Sequence, residues 1–198
     1  MKDFLKQDLM KLELFKKYGY DIPKARQLIL NKAKFTKSRI LEVGTGKGHM
    51  AIALAKKGFK LTSIDLDRKA QVIAKESLKA LKINKLVTLK IMNAEKLRFG
   101  NDSFDSVISV NFMHHAKNPI ECLREMIRVT KNKLVIVDIN KRGERIMAKV
   151  HALDGHRHAV SKMSLLCVKE YLQKEGLLVK VYRDICQTII IAKKGATK

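Results

Sequence analysis

Apolar and polar positions change period along this chain, and the changes mark its elements. From about residue 39 onward, short β-rich runs alternate with stretches of helical period. Residues 39–43 predict a strand that ends in a glycine-rich turn, and 49–57 a helix closed by Gly58. Residues 60–64 predict a second strand, ending at Asp65. Over 69–81, Val72, Ile73, Leu78 and Leu81 fall at helical spacing. Strands follow over 86–92 and 106–110, then a helix over 121–129 and a strand over 134–139 in which nearly every residue is apolar. Such continuously apolar strands are buried on both faces, as in a parallel sheet covered by helices. The β–α alternation predicts a doubly wound, Rossmann-like α/β fold with seven strands.

The two ends differ from this middle. Residues 168–174 predict a helix stopped by Gly176, and 177–183 and 185–192 two strands with almost nothing between them. So short a connection permits only an antiparallel hairpin. The sheet is therefore mostly parallel with an antiparallel C-terminal hairpin at one edge. The first 35 residues predict two helices, 2–16 and 23–34, around a turn containing Tyr18, Tyr20 and Pro23. With two prolines and no Gly/Ser linker, the expectation is one domain over 1–198. Residues 1–35 form a helical cap or lid on a core of 36–198.

Composition narrows the class. At 46% hydrophobic residues the 198-residue chain is too apolar for disorder. No apolar run reaches the roughly 18 residues that span a bilayer. The first residues lack the apolar run of a secretory signal. Cys122, Cys167 and Cys186 have no metal-type spacing and read as thiols in a reducing cytosol, so the expected location is cytoplasmic and no metal is assigned. Charge is the outlier: 42 Lys+Arg against 19 Asp+Glu give +23. Residues 1–99 hold 24 bases and 9 acids. That excess suits a polyanion such as RNA. Its scattered, lysine-rich form equally suits a solvated surface.

The chemistry sits where an open parallel sheet binds ligands, at the carboxyl ends of its strands. The first strand runs into Glu42-Val43-Gly44-Thr45-Gly46-Lys47-Gly48, a turn that lets a ligand approach the backbone. Asp65 ends the second strand, placed for ribose hydroxyls. Together they point to an adenosine-containing ligand. A dinucleotide needs glycine where this chain has His49, and Glu42 would repel a pyrophosphate. Glu42 suits a ligand with an ammonium group.

Residues 40–48 resemble motif I of the class I S-adenosylmethionine-dependent methyltransferases, and the resemblance extends over about 36–192. Residues 93–99 and 102–105 are similar to the adenine-side segment of the ubiquinone/menaquinone-biosynthesis-type subgroup, and 110–115 to its segment after the fourth strand. The resemblance implies S-adenosyl-L-methionine as cofactor. Glu42, Gly44, Thr45, Gly46 and Gly48 would lie about its methionine part, Asp65 would hold the ribose, and Leu66 would cover the adenine. Asn93 and the backbone of Ala94 would meet the adenine edge, and Asn111 would stand between methionine end and acceptor. The subgroup usually has Asp where this chain has Asn93; an amide oxygen still accepts a hydrogen bond there.

His114 and His115 are the candidate catalytic residues, positioned after the fourth strand where an acceptor would enter. Tyr18, Tyr20, His151, His156 and His158 are candidates for the acceptor pocket. The Pro-Pro-aromatic signature of base-amine methylases and the cysteine of pyrimidine methylation are both missing after the fourth strand. The expected reaction is in-line methyl transfer to a small, plausibly anionic, organic acceptor. The alternatives are an RNA methyltransferase and a non-catalytic nucleotide- or RNA-binding protein with this fold.

Overall fold

The structure, a computed structural model, describes residues 2–36, 39–153 and 163–195. Two helices come first, α1 (Lys2–Lys17) and α2 (Ile22–Ala33). The core then runs β1 (Ile40–Val43), α3 (His49–Lys56), β2 (Leu61–Asp65), α4 (Arg68–Ala80), β3 (Val87–Ile91), β4 (Phe104–Val110), α5 (Pro119–Val129) and β5 (Thr130–Ile139). It ends with α6 (Lys141–Leu153), α7 (Leu165–Lys174), β6 (Leu178–Arg183) and β7 (Gln187–Lys193).

Seven strands form one sheet in the order β3-β2-β1-β4-β5-β7-β6. β1 to β5 pair in parallel, and β7 is antiparallel to both β5 and β6. The strand order reverses between β1 and β4, so a crevice opens above their carboxyl ends. Successive residues of one strand serve opposite faces. Leu134 and Ile136 pack into the core under α5 and α7, while Val135 and Val137 pack under α2 and α3. A third cluster joins Phe15, Tyr20 and Ile22 to Ile139, Ile146 and Val150, and docks the N-terminal helices beside α6.

Local chemistry sets the helix starts. Asp21 caps α2 by accepting from Lys24 N, with Pro23 in the first turn. Asp67 caps α4 through the N–H groups of Lys69 and Ala70. Ser164 caps α7, which begins at Leu165, three residues before the predicted start.

The structure departs from the sequence expectation at several further elements. β4 begins at Phe104, and β5 begins at Thr130 with no loop after α5. β7 begins at Gln187, because Asp184 N donates to Gln187 O and Cys186 turns inward. Helix α6 was not predicted. It contains Gly143 and a dense set of charges, and its buried positions are only Gly143, Ile146 and Val150. Gly143 is there for space: a Cβ would stand 2.2 Å from Cys186 O and 3.0 Å from Ile139 Cβ.

Candidate active site

Above the switch point lies a cavity of about 600 Å³. β1 contributes Glu42 at its floor, and the following turn contributes Gly44, Thr45 and Gly46. Gly44 has φ +89, and a Cβ there would meet the Phe112 ring at 2.9 Å. Only glycine fits both the conformation and the space. Gly46 has φ +49 and faces open space, and its N–H donates to Asp65 Oδ2 at 2.7 Å. Asp67 N donates to Asp65 Oδ1 at 2.9 Å. Two backbone donors therefore aim the carboxylate that ends β2, next to the exposed Leu66.

Glu42 is 1% exposed. Ser63 Oγ donates to its Oε2, and Ser63 in turn bonds Thr45 Oγ1 at 2.6 Å. Gln71 extends the chain, donating to Thr45 Oγ1 and Lys90 O. Burial pushes the Glu42 carboxyl up to about 8, against the Ser63 hydrogen bond and the Arg26 charge, which pull it down. It is thus a proton-bearing acid at neutral pH until a cation arrives.

The N-terminal helices supply much of the other wall. Asp8, Lys11, Leu12 and Phe15 of α1 and Ile22 and Arg26 of α2 all line the cavity. Asp8 ties α1 to the glycine turn: Lys47 Nζ lies 3.0 Å from its Oδ1 and His49 Nε2 3.6 Å from its Oδ2. Burial lowers the pKa of His49, opposed by Asp8.

Beyond β4 the cavity is bounded by Asn111, Phe112, His115, Met147 and His151. Asn111 holds φ +54, an uncommon conformation for a residue with a side chain. Its N–H is fixed to Val137 O at 2.8 Å. Its Nδ2 points to the buried Tyr20 hydroxyl at 3.5 Å. His114 lies beneath the wall, 3% exposed. Its Nδ1 is 2.5 Å from Asp138 Oδ1, and its N–H donates to Asp138 Oδ2. The exposed His115 ring lies tilted against it, with centroids 4.0 Å apart.

Most residues predicted for the site meet here: Glu42, Gly44, Thr45, Gly46, Asp65, Leu66, Asn111, His115 and His151 share one cavity. His151 does so from the last turn of α6, not from a loop. Gly48 stands one step back as the start of α3, against Ala74. Tyr20 backs Asn111, whereas Tyr18 packs under Lys149. Asn93 and Ala94 are not in the cavity wall. Asn93 Oδ1 accepts from Glu95 N instead. His156 and His158 lie outside the described residues. A second, more open depression of about 800 Å³ lies at the amino ends of β1 to β4 and holds none of the predicted site residues.

Sequence reasoning missed Asp8, Arg26, Asp138 and Met147. Two of them carried a signal. Arg26 falls on the apolar stripe formed by Ile22, Ala25, Ile29 and Ala33, and Asp138 interrupts an otherwise apolar strand end.

A switch-point cavity with a buried acid at its floor and an aimed carboxylate at the next strand suits an adenosine-and-ammonium ligand. Comparison with known proteins agrees. The family model for a methyltransferase domain matches residues 41–137. The methyltransferase GfsG of Streptomyces halstedii is 26% identical over 155 residues, 75% of this chain and 56% of that protein. The ubiquinone/menaquinone biosynthesis C-methyltransferase UbiE of Geotalea daltonii is 26% identical over 121 residues, 58% of this chain and 52% of that protein. The chain thus spans about half the length of these relatives. A SAM-dependent methyltransferase structure from Aquifex aeolicus shares the fold with a TM-score of 0.67 at 20% identity, over 85% of this chain and 88% of that one. Residues 41–137 thus match the methyltransferase-domain family, the chain is similar in sequence to S-adenosylmethionine-dependent methyltransferases, and it shares their fold. The residues present suit that cofactor: Glu42 for its ammonium, the Gly44–Gly46 turn for close backbone approach, and Asp65 for its ribose.

Proposed function

We propose that this chain transfers the methyl group of S-adenosyl-L-methionine to a small acceptor whose nucleophilic atom carries a proton. The observation behind this is the cavity itself. At about 600 Å³ it is in the size range of small-molecule sites, and His115 stands at its rim. The cofactor supplies a methyl group already activated on a sulfonium. The protein's work is then to align the acceptor, exclude water and remove a proton.

His115 is the base in this reading. His114 is a positioning residue: bonded to Asp138, it fixes the ring against which His115 rests. α1 closes the cavity from above through the Asp8 contacts, which limits the acceptor's size. No helix among the described residues is long and apolar enough to cross a membrane.

The test uses methyl-labelled S-adenosylmethionine with a panel of small phenols, quinols, amines and carboxylates, alongside total RNA. Label is expected in the small-molecule fraction. Label in RNA alone would overturn the acceptor class. His115→Ala should lose transfer and keep S-adenosylhomocysteine binding; retained transfer would remove His115 from its role.

A further inference from the structure

The cavity chemistry makes no use of the basic excess, and much of that excess stands at the opposite end of the sheet. The connections into β1, β2 and β3 (34–39, 57–60 and 81–86) hold Lys34 and Arg39, Lys57 and Lys60, and Lys82 and Lys85, with no acid among them. All six bases are exposed. Each helix of a doubly wound sheet runs back along its strands, so these connections meet at the strands' amino ends. Register extends the arrangement. Val87, Leu61, Ile40, Ser106, Lys133 and Lys193 stand side by side across six strands, with Lys60 and Arg39 one residue before Leu61 and Ile40. At strand spacing the row is about 24 Å long. Two acids beside it are already engaged: Asp102 Oδ1 by Lys194 Nζ at 2.7 Å, and Asp105 Oδ2 by Arg39 N at 2.9 Å. Lys57, Lys60, Lys82 and Lys85 have no such partner among the described residues.

The depression of about 800 Å³ lies within this basic end. Arg39, Lys60 and Lys85 line it together with Phe59, Leu86 and Thr88. Its apolar residues do not project: Phe59 and Leu86 are half-buried, and Ile40, Leu61 and Phe104 are buried. Cations in a row, with an aromatic-walled recess between them, suit a flexible polyanion whose flat groups can leave the chain and enter the recess. A single-stranded polynucleotide has that form, with phosphates for the lysines and unstacked bases for the ring. A duplex keeps its bases stacked inside, and a bilayer is entered by apolar side chains that project.

We propose that the amino end of the sheet binds single-stranded nucleic acid, with Arg39, Lys60 and Lys85 on phosphates and a base against Phe59. The bound strand is not the methyl acceptor. Arg39 and Gly44 bracket β1 five residues apart, about 16 Å, so the depression and the cavity open at opposite ends of one strand. The surface anchors the protein on a polynucleotide and leaves the cavity free for its own ligands. It stands independently of how the cavity is read.

The test measures binding of a fluorescent 12-nucleotide oligouridylate, a 12-base-pair RNA duplex and vesicles rich in phosphatidylserine, at several salt concentrations. The single strand should bind more tightly than the duplex. Lys60→Gln combined with Lys85→Gln should weaken it by roughly tenfold or more at about 50 mM salt, and should shrink the log–log salt slope by about 1.4, the loss of two phosphate contacts. The control, Lys117→Gln with Lys141→Gln, removes the same charge from exposed positions at the cavity end and should leave affinity within about threefold. Phe59→Leu keeps an apolar side chain and should cost the single strand roughly fivefold or more while sparing the duplex. Saturating S-adenosylhomocysteine should not displace the oligonucleotide. Equal loss in the two lysine pairs, competition with S-adenosylhomocysteine, or a salt slope unchanged by Lys60→Gln with Lys85→Gln overturns the proposed site. Binding to the vesicles but to neither RNA overturns the partner class, and a duplex bound as tightly as the single strand overturns the role of Phe59 and the recess.

Discussion

Glu42 is an acid kept where its charge is disfavoured, and this makes cofactor binding a proton-linked event. Its pKa of about 8 means that the carboxyl is protonated through neutral pH in the ligand-free protein. A bound ammonium favours the ionised form, so binding expels the proton. Affinity for S-adenosylhomocysteine should rise from pH 6 to 8, by at most about tenfold per unit, and level off above. Calorimetry at pH 7 in buffers of different ionisation enthalpy should register close to one proton released, and Glu42→Gln should register none. The same shift opposes folding. The unfolded chain releases this proton above its ordinary value of 4.5 and the folded one only near 8, so the Glu42 contribution to ligand-free stability falls across that window. Asp65 is simpler. Asp65→Ala removes the acceptor aimed by Gly46 and Asp67 and should weaken S-adenosylhomocysteine binding by about 1–3 kcal/mol; an unchanged dissociation constant would end its ribose role. Both acids were legible in the sequence because each stands at the end of an apolar strand, where a charge has no structural reason to be. Arg26 was as conspicuous in kind, but an arginine within a helix reads as a solvated residue until the helix is seen to be covered.

Among the elements, the parallel strands were legible because burial on both faces leaves them continuously apolar, and Asp67 was legible as a cap. α6 was not, and the reason is physical. Its sequence carries a glycine and many charges, and only Gly143, Ile146 and Val150 are buried. Tertiary packing, not propensity, makes it a helix. Gly143 shows the trade. Alanine is the better helix former by about 1 kcal/mol. Yet a Cβ at Gly143 would collide with the Cys186 carbonyl, which also accepts from Asn140 N just before the helix. Gly143→Ala should therefore destabilise the protein in urea titrations. It should also weaken S-adenosylhomocysteine binding, because Met147 and His151 leave the cavity wall with the displaced helix. A gain in stability would show that α6 does not approach β7 this closely. Asn93 follows β3 where the sequence places it, and its side-chain oxygen accepts from Glu95 N.

At the scale of the whole molecule, the charge of +23 divides from the chemistry. The cavity sets acids beside bases, Glu42, Asp65 and Asp8 with Lys11, Arg26 and Lys47, while part of the basic excess gathers at the other end of the sheet. There β5 begins and β7 ends, and Lys133 stands in register with Lys193 on the neighbouring strand. Like charges directly opposite in a sheet repel. The effect is visible in Lys133: burial lowers its pKa, and Lys193 lowers it further. Lys133 stays because its Nζ donates to Ala33 O and Lys34 O, closing the last turn of α2. Lys193 is exposed and shows no such bond. Lys193→Glu exchanges repulsion for attraction across the strand pair, a change of about 0.2–1 kcal/mol for each sign. In a chain of this size that should raise the melting temperature by a few degrees, at about 2–4 °C per kcal/mol. The gain should be largest at low ionic strength and shrink in about 0.5 M salt, where screening acts over a few ångströms. The unaltered protein should move the other way and gain thermal stability as salt is added, because its net charge repels itself. Scanning calorimetry of both proteins across salt concentrations checks the pair. If Lys193→Glu melts no higher than the unaltered protein at low salt, the lysines at this end are too well solvated to oppose the fold. The basic excess would then have to be explained by what the surface meets in solution.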